Sequence, residues 1–108
     1  MRAASVAAAG AILVLAGCGG GSTPPPRHHI NLTAFERRGK ALFISTCGVC
    51  HTLADAGTDG TAGPALDDHL DASRVRKTIA DGSGAMQAGL LSGTAAAEVA
   101  AYVAAATR

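Results

Sequence analysis

The sequence predicts a small all-α domain of three main helices, closed around a group that is not protein. Three observations predict it. Helix-type spacing of apolar residues recurs in three segments, each opened by a capping residue. No stretch alternates convincingly as a strand, and no repeat appears. The chain has 108 residues, 48% of them hydrophobic but many of those alanine, and its only aromatics are Phe35, Phe43 and Tyr102. A domain of this size is already marginal on surface-to-volume grounds, and with so few large side chains its centre calls for a prosthetic group.

The first helix opens at Thr33-Ala-Phe-Glu36, a capping box in which Thr33 and Glu36 satisfy each other's free backbone donors. Phe35, Gly39, Leu42 and Phe43 then recur at i, i+4, i+7 and i+8, one face of a helix running towards Cys47. Asp71 is the N-cap of a second helix, with Leu70 and Val75 spaced as a hydrophobic staple. This helix buries Val75 and Ile79 and stops at Gly82. The third runs from a Ser92 cap to the C-terminus, with Val99, Tyr102, Val103 and Ala106 on one face. A Gly-, Asp- and Thr-rich loop containing Gly63-Pro64-Ala65-Leu66 joins the first two helices.

Residues 1–17 read as a secretory signal: one basic residue, Arg2, then an apolar run from Val6 to Leu15 too short to span a bilayer, then small residues. Leu15-Ala-Gly-Cys18 resembles the lipobox of bacterial lipoproteins, a family in which the cysteine sulfur receives a diacylglycerol and the chain is cut before it. An ordinary signal cleaved nearby, or an uncleaved anchor, is the plainer reading of the same residues. Lipidation of Cys18 would use the odd cysteine of three and leave Cys47 and Cys50 as a pair. Residues 18–31 then form a flexible Gly/Pro linker, and residues 32–108 the domain. The 13 residues from Gly19 to Asn31 reach at most about 45 Å, enough for a domain to turn over a membrane surface but not to leave it. His28 and His29 lie in this linker, where solvated histidines are commoner than metal ligands.

Of the nine basic side chains Arg2 would go with the signal, leaving eight against eight acidic ones. That balance excludes the basic excess of a nucleic-acid binder. Asp55, Asp59, Asp67, Asp68 and Asp71 fall in one stretch free of Lys and Arg, flanked by Arg37, Arg38, Lys40, Arg74, Arg76 and Lys77. A docking face is one reading, and a solvated loop is the plainer one.

The chemistry concentrates in Cys47-Gly-Val-Cys50-His51. Structural zinc needs four ligands, and here there is no second cysteine pair and His69 stands alone. A thioredoxin-like dithiol opens a helix after a strand, and gives the histidine no required place. Cys-x-x-Cys-His is the attachment pattern of c-type haem. Thioethers at Cys47 and Cys50 would pin the macrocycle, and His51 would bring an imidazole nitrogen to the iron.

With that motif, residues Leu32 to Arg108 resemble the class I c-type cytochromes. Gly39-Lys-Ala-Leu-Phe43 is similar to that family's N-terminal helix, whose small residue permits close crossing of the C-terminal helix; Val99 and Tyr102 would here meet Gly39 and Phe43. Gly63-Pro64-Ala65-Leu66 looks like the loop whose proline carbonyl accepts a hydrogen bond from the second nitrogen of the haem histidine, fixing the ring and raising its basicity. The resemblance implies one covalent haem c per chain and a sixth ligand, Met86, from Gly82-Ser-Gly-Ala-Met86. Met86 as a gap-filling side chain and His69 as ligand are the competing readings. The family often has proline after this methionine, where this chain has Gln87.

His51 and Met86 as axial ligands leave the iron no open position, and no nucleophile–base set or carboxylate pair suggests an enzyme. The expected function is therefore a membrane-tethered, monomeric one-electron carrier on the outer, extracytoplasmic or periplasmic side of the plasma membrane. Its partners would be redox proteins of a respiratory or photosynthetic chain. The alternatives are a haem sensor or peroxidase-like protein with a labile Met86, and a fixed cytochrome subunit of a larger oxidoreductase complex. Cys18→Ser is expected to leave the haem spectrum intact and release the protein to the soluble fraction; retention with the membrane in fractionation would refute lipidation.

Overall fold

The protein's structure, a computed structural model, describes Gly17, Gly20 and residues 30–108. Cys18, the rest of the expected signal and most of the linker, including His28 and His29, lie outside the described residues.

Helix α1 spans Ala34–Leu42, with the expected capping box closed. Thr33 Oγ1 accepts from the Glu36 N–H at 3.2 Å, and Glu36 Oε2 accepts from the Thr33 N–H at 2.7 Å. The same backbone bond, then the Thr33 hydroxyl, holds the Glu36 carboxyl below the usual carboxylate range. The chain does not run on as α-helix to Cys47. Phe43–Cys47 is one π turn, closed by the Gly48 N–H on the Phe43 carbonyl at 2.8 Å. The extra residue widens the ring of the helix where the cysteines begin, a feature common at functional sites.

Two antiparallel strands of two residues each follow, β1 (Thr52–Leu53) and β2 (Thr58–Asp59), with Thr52 opposite Asp59 and Leu53 opposite Thr58. This departs from the strand-free expectation. Pairs this short carry no readable alternation, and side-chain bonds of Thr58 complete what the ladder lacks.

Helix α2, Ala72–Asp81, starts where Asp71 accepts from the Ser73 N–H at 3.3 Å and ends at Gly82, whose φ of 73° lies in the left-handed region. Its staple residues Leu70 and Val75 both pack on the core. Helix α3, Gly93–Ala106, has Ser92 at its N-cap position, but the serine side chain makes no cap bond, so Ser92 marks the start without stabilising it. At the far end the Thr107 hydroxyl donates to the Val103 carbonyl at 2.8 Å and accepts the Leu70 N–H at 3.0 Å, tying the loop before α2 to α3. Among the described residues no helix is long and apolar enough to cross a membrane.

The protein core is small: Phe43, Leu53, Ile79, Ala96, Val99, Tyr102 and Val103. Its organising contact is the crossing of α1 over α3. A Cβ on Gly39 would collide with the Glu98 carbonyl oxygen and lie 2.9 Å from Tyr102 Cβ, so the backbones touch there. One turn on, the Phe43 and Tyr102 rings meet edge to face, 5.9 Å between centroids. Tyr102 thus meets both Gly39 and Phe43 as expected, while Glu98 rather than Val99 faces the glycine and Val99 joins the core.

The fully buried Tyr102 needs a partner for its hydroxyl and donates to Asp55 Oδ2 at 2.6 Å; burial first, then Asp55, pushes its phenol pKa far up. Lys40 Nζ reaches the same oxygen at 3.1 Å. Asp55 is therefore a clasp between α1, the hairpin and α3, and not a solvated loop residue. Asp71 is an exposed N-cap, and Asp59, Asp67 and Asp68 are the other exposed acids of that stretch.

Gly39→Ala is expected to destabilise the protein. Alanine gains up to about 1 kcal/mol in helix propensity, but forcing two backbones apart costs about 1–3 kcal/mol or more. A thermal melt equal to or above that of the natural chain would contradict the crossing.

Candidate functional site

The π turn delivers Cys47 to a tight bend in which both the Cys50 and His51 N–H groups donate to the Cys47 carbonyl at 3.0 Å. This stacks the motif over its first residue, so that two thiols three positions apart and one imidazole issue from a single turn. Cys47 is half-buried, and Cys50 is exposed beside Val49, which is 72% exposed. Burial, and then the neighbouring Cys50, pushes the Cys47 thiol pKa up.

The Gly63-Pro64 loop fixes the His51 ring. His51 Nδ1 and the Pro64 carbonyl oxygen are 2.8 Å apart. A carbonyl can only accept, so Nδ1–H donates and Nε2 keeps its lone pair for a metal or another donor. A Cβ on Gly63 would stand 2.5 Å from His51 Cε1 and 3.0 Å from Nε2, so only glycine lets the loop lie against the ring. The Gly63 N–H donates to the Cys50 carbonyl at 2.7 Å, and the Leu66 N–H to the Thr52 carbonyl at 2.9 Å.

Sequence reading did not single out the rest of this backing. The Thr52 hydroxyl donates to the Gly60 carbonyl at 2.9 Å. A Cβ on Gly60 would be 2.6 Å from the Gly48 carbonyl oxygen and 2.7 Å from Cys50 N. The Thr58 hydroxyl donates to the His51 carbonyl at 2.9 Å and accepts the Leu53 N–H at 3.0 Å. The one available signal was the density of Gly and Thr from 57 to 63 just after the motif, a composition that permits close backbone approach.

Met86 lies on a separate loop. It is half-buried and packs against the core cluster. The Ser83 N–H donates to the Met86 carbonyl at 3.1 Å, and the Met86 N–H to the Ser83 carbonyl at 2.9 Å. Gly84, at φ 54°, makes the turn between them, and the Gly89 N–H donates to Ile79 of α2 at 2.8 Å. These bonds hold the loop where Gln87 stands in place of proline. His69 is exposed on the loop before α2. Cys18 lies outside the described residues.

The donor set fits a haem of the covalent kind: two thiols on one turn, an imidazole with its free Nε2 set beside them, and a thioether on a held loop. Among the described residues no three Cys, His, Asp or Glu side chains converge as a metal cage, which disfavours zinc at the cysteine pair.

The family profile described as "Cytochrome C oxidase, cbb3-type, subunit III" matches residues 34–103. Among solved structures the chain is similar to the c-type cytochrome SorU from Sinorhizobium meliloti. The two share 35% identity with a TM-score of 0.62, over 68% of this chain and 91% of that one. No curated protein matches the chain.

Gly63→Ala is expected to push the His51 ring off the Pro64 carbonyl, at an overpacking cost of about 1–3 kcal/mol. Loss of the hydrogen-bonded His51 Nδ1–H resonance in proton NMR, with lower thermal stability, is the expected result; an unchanged resonance would contradict the close fit.

Proposed function

The chain belongs to the family described as cytochrome c oxidase, cbb3-type, subunit III, and from that premise we propose that it is a membrane-tethered, monohaem one-electron carrier with His51 and Met86 as axial ligands. Membership and the similarity to a c-type cytochrome make it an electron-transfer haem protein with covalently bound haem c and iron, working with redox partner proteins. The finer assignments are our reading of its residues.

Cys47 and Cys50 hold the macrocycle by thioether bonds. His51 presents Nε2 to the iron, and the observation that carries this is its Nδ1–H bond to Pro64 at 2.8 Å. That bond fixes the tautomer and the ring plane and makes the imidazole a stronger donor. Met86 would supply a second, softer ligand to the iron, and His/Met ligation would raise the reduction potential over two nitrogen ligands. The bound haem supplies a single-electron iron couple. The protein's part is to keep both ligands still in each oxidation state and to leave no position for substrate. Pinning His51 at its ring and its backbone, and Met86 on a bonded turn, supports that part.

The tether is Cys18, lipidated after removal of residues 1–17, with residues 18–31 as linker; the domain works as a monomer on the extracytoplasmic side. Its partners belong to a respiratory or photosynthetic chain.

The oxidised visible spectrum tests the reading. A thioether-to-iron band near the red edge is expected in the natural protein. Met86→Ala should abolish it, lower the potential and admit carbon monoxide to the reduced form. A natural protein without the band that binds carbon monoxide readily would refute Met86 as a permanent ligand and the carrier role with it.

A further inference from the structure

We propose that Thr58 is a positioning residue of the haem-bearing turn: its side chain clamps the backbone of the Cys47–His51 motif from behind, and the bond of His51 to the iron depends on that clamp. The proposal rests on the reading that His51 Nε2 ligates the iron.

Thr58 is half-buried in β2, opposite Leu53. Its hydroxyl has one proton, which goes to the His51 carbonyl at 2.9 Å, and it accepts the Leu53 N–H at 3.0 Å. One atom thus bridges the residue carrying the imidazole and the residue two positions on. Leu53 is 2% exposed and belongs to the core, so the bridge anchors His51 to the core.

The other branch of the same side chain acts on the opposite end of the motif. Its methyl group occupies the space a Cβ on Gly48 would need, so the backbone between the two cysteines is backed by Thr58. Ring and backbone of His51 are therefore held independently, by Pro64 at Nδ1 and by Thr58 at the carbonyl. A ring held at Nδ1 alone could still swing with its backbone, which would move Nε2. The two branches ask for threonine and no smaller or purely apolar residue. Valine keeps the shape and loses both hydrogen bonds; serine keeps the hydrogen bonds and loses the methyl.

The test uses full-length, haem-loaded protein as the natural chain, Thr58→Val and Thr58→Ser. Nitric oxide is added to the reduced protein, where it takes the Met86 position and weakens the bond on the opposite side of the iron. The split between six-coordinate and five-coordinate complexes in the visible spectrum then reads the histidine bond directly. It is read at a temperature where circular dichroism shows the helices of all three proteins intact, so loss of stability alone does not move it.

Thr58→Val should raise the five-to-six-coordinate ratio by about fivefold, the factor one net hydrogen bond supports. Thr58→Ser should stay near the natural protein. Equal ratios in the Val variant and the natural protein, or equal shifts in both variants, overturn the proposal. Should Thr58→Val mature without attached haem, normal haem loading of Thr58→Ser supports the clamp and equal loss of both refutes it. If the natural protein before nitric oxide is added shows no iron-bound histidine in its paramagnetic proton NMR spectrum, the ligand reading itself fails, and that result is distinct from failure of the clamp alone.

Discussion

Everything in this structure leans on one close approach: the backbone of α1 at Gly39 against the backbone of α3 at Glu98. With two helices touching main chain to main chain, the side chains one turn away must also meet, and Phe43 and Tyr102 do so edge to face. Burying the tyrosine leaves a hydroxyl that cannot stay unpaired, because an orphaned polar group in a core costs about 1–3 kcal/mol. Asp55 takes that proton, and its bond to Tyr102, joined by Lys40, fastens the hairpin to both helices. The hairpin is the segment next to His51. A steric condition at one glycine thus propagates, through packing and then a hydrogen bond, to the segment beside His51.

The turn that carries Cys47, Cys50 and His51 is built by the same economy. Gly60 and Gly63 lie against the motif because they lack a Cβ, and Thr52, Thr58 and Pro64 convert that proximity into directed bonds. For a protein that moves electrons, immobility is the useful property. A ligand that shifts between oxidation states adds reorganisation to each transfer, and groups already held in place cost none. The scarcity of large side chains has the same logic: among the described residues only five of the buried apolar side chains, Phe43, Leu53, Val99, Tyr102 and Val103, are large and almost wholly enclosed, which suits a fold completed by a haem.

What the sequence revealed was whatever one residue decides locally. Thr33 with Glu36, Asp71 and Gly82 set helix ends through their own bonds or dihedrals, and each did so where expected. The His51–Pro64 contact was anticipated from the family resemblance of the Gly63-Pro64 loop, and the structure has the two atoms 2.8 Å apart. Features that depend on contacts distant in the chain were not legible. The role of Asp55 is settled by Tyr102, 47 residues away, and nothing near Asp55 separates it from the exposed Asp59. The hairpin is held largely by one threonine hydroxyl, which leaves no alternation to read. The π turn has no compositional mark, since Phe43–Cys47 fits an α-helix equally well. Ser92 shows the converse, a residue type suited to capping that makes no capping bond.

The Arg38–Glu98 pair spans 60 residues of chain, and the Gly39 crossing lies beside it. A chain delivered from its N-terminus presents the cysteine motif well before α3 exists to close over α1. During that interval the crossing is missing, Asp55 has no tyrosine to hold, and the motif sits on a helix too short to persist alone. Order of synthesis therefore leaves the turn around the thiols unbraced until α3 arrives, and the finished fold steadies that turn while Cys50 stays exposed and Cys47 half-buried.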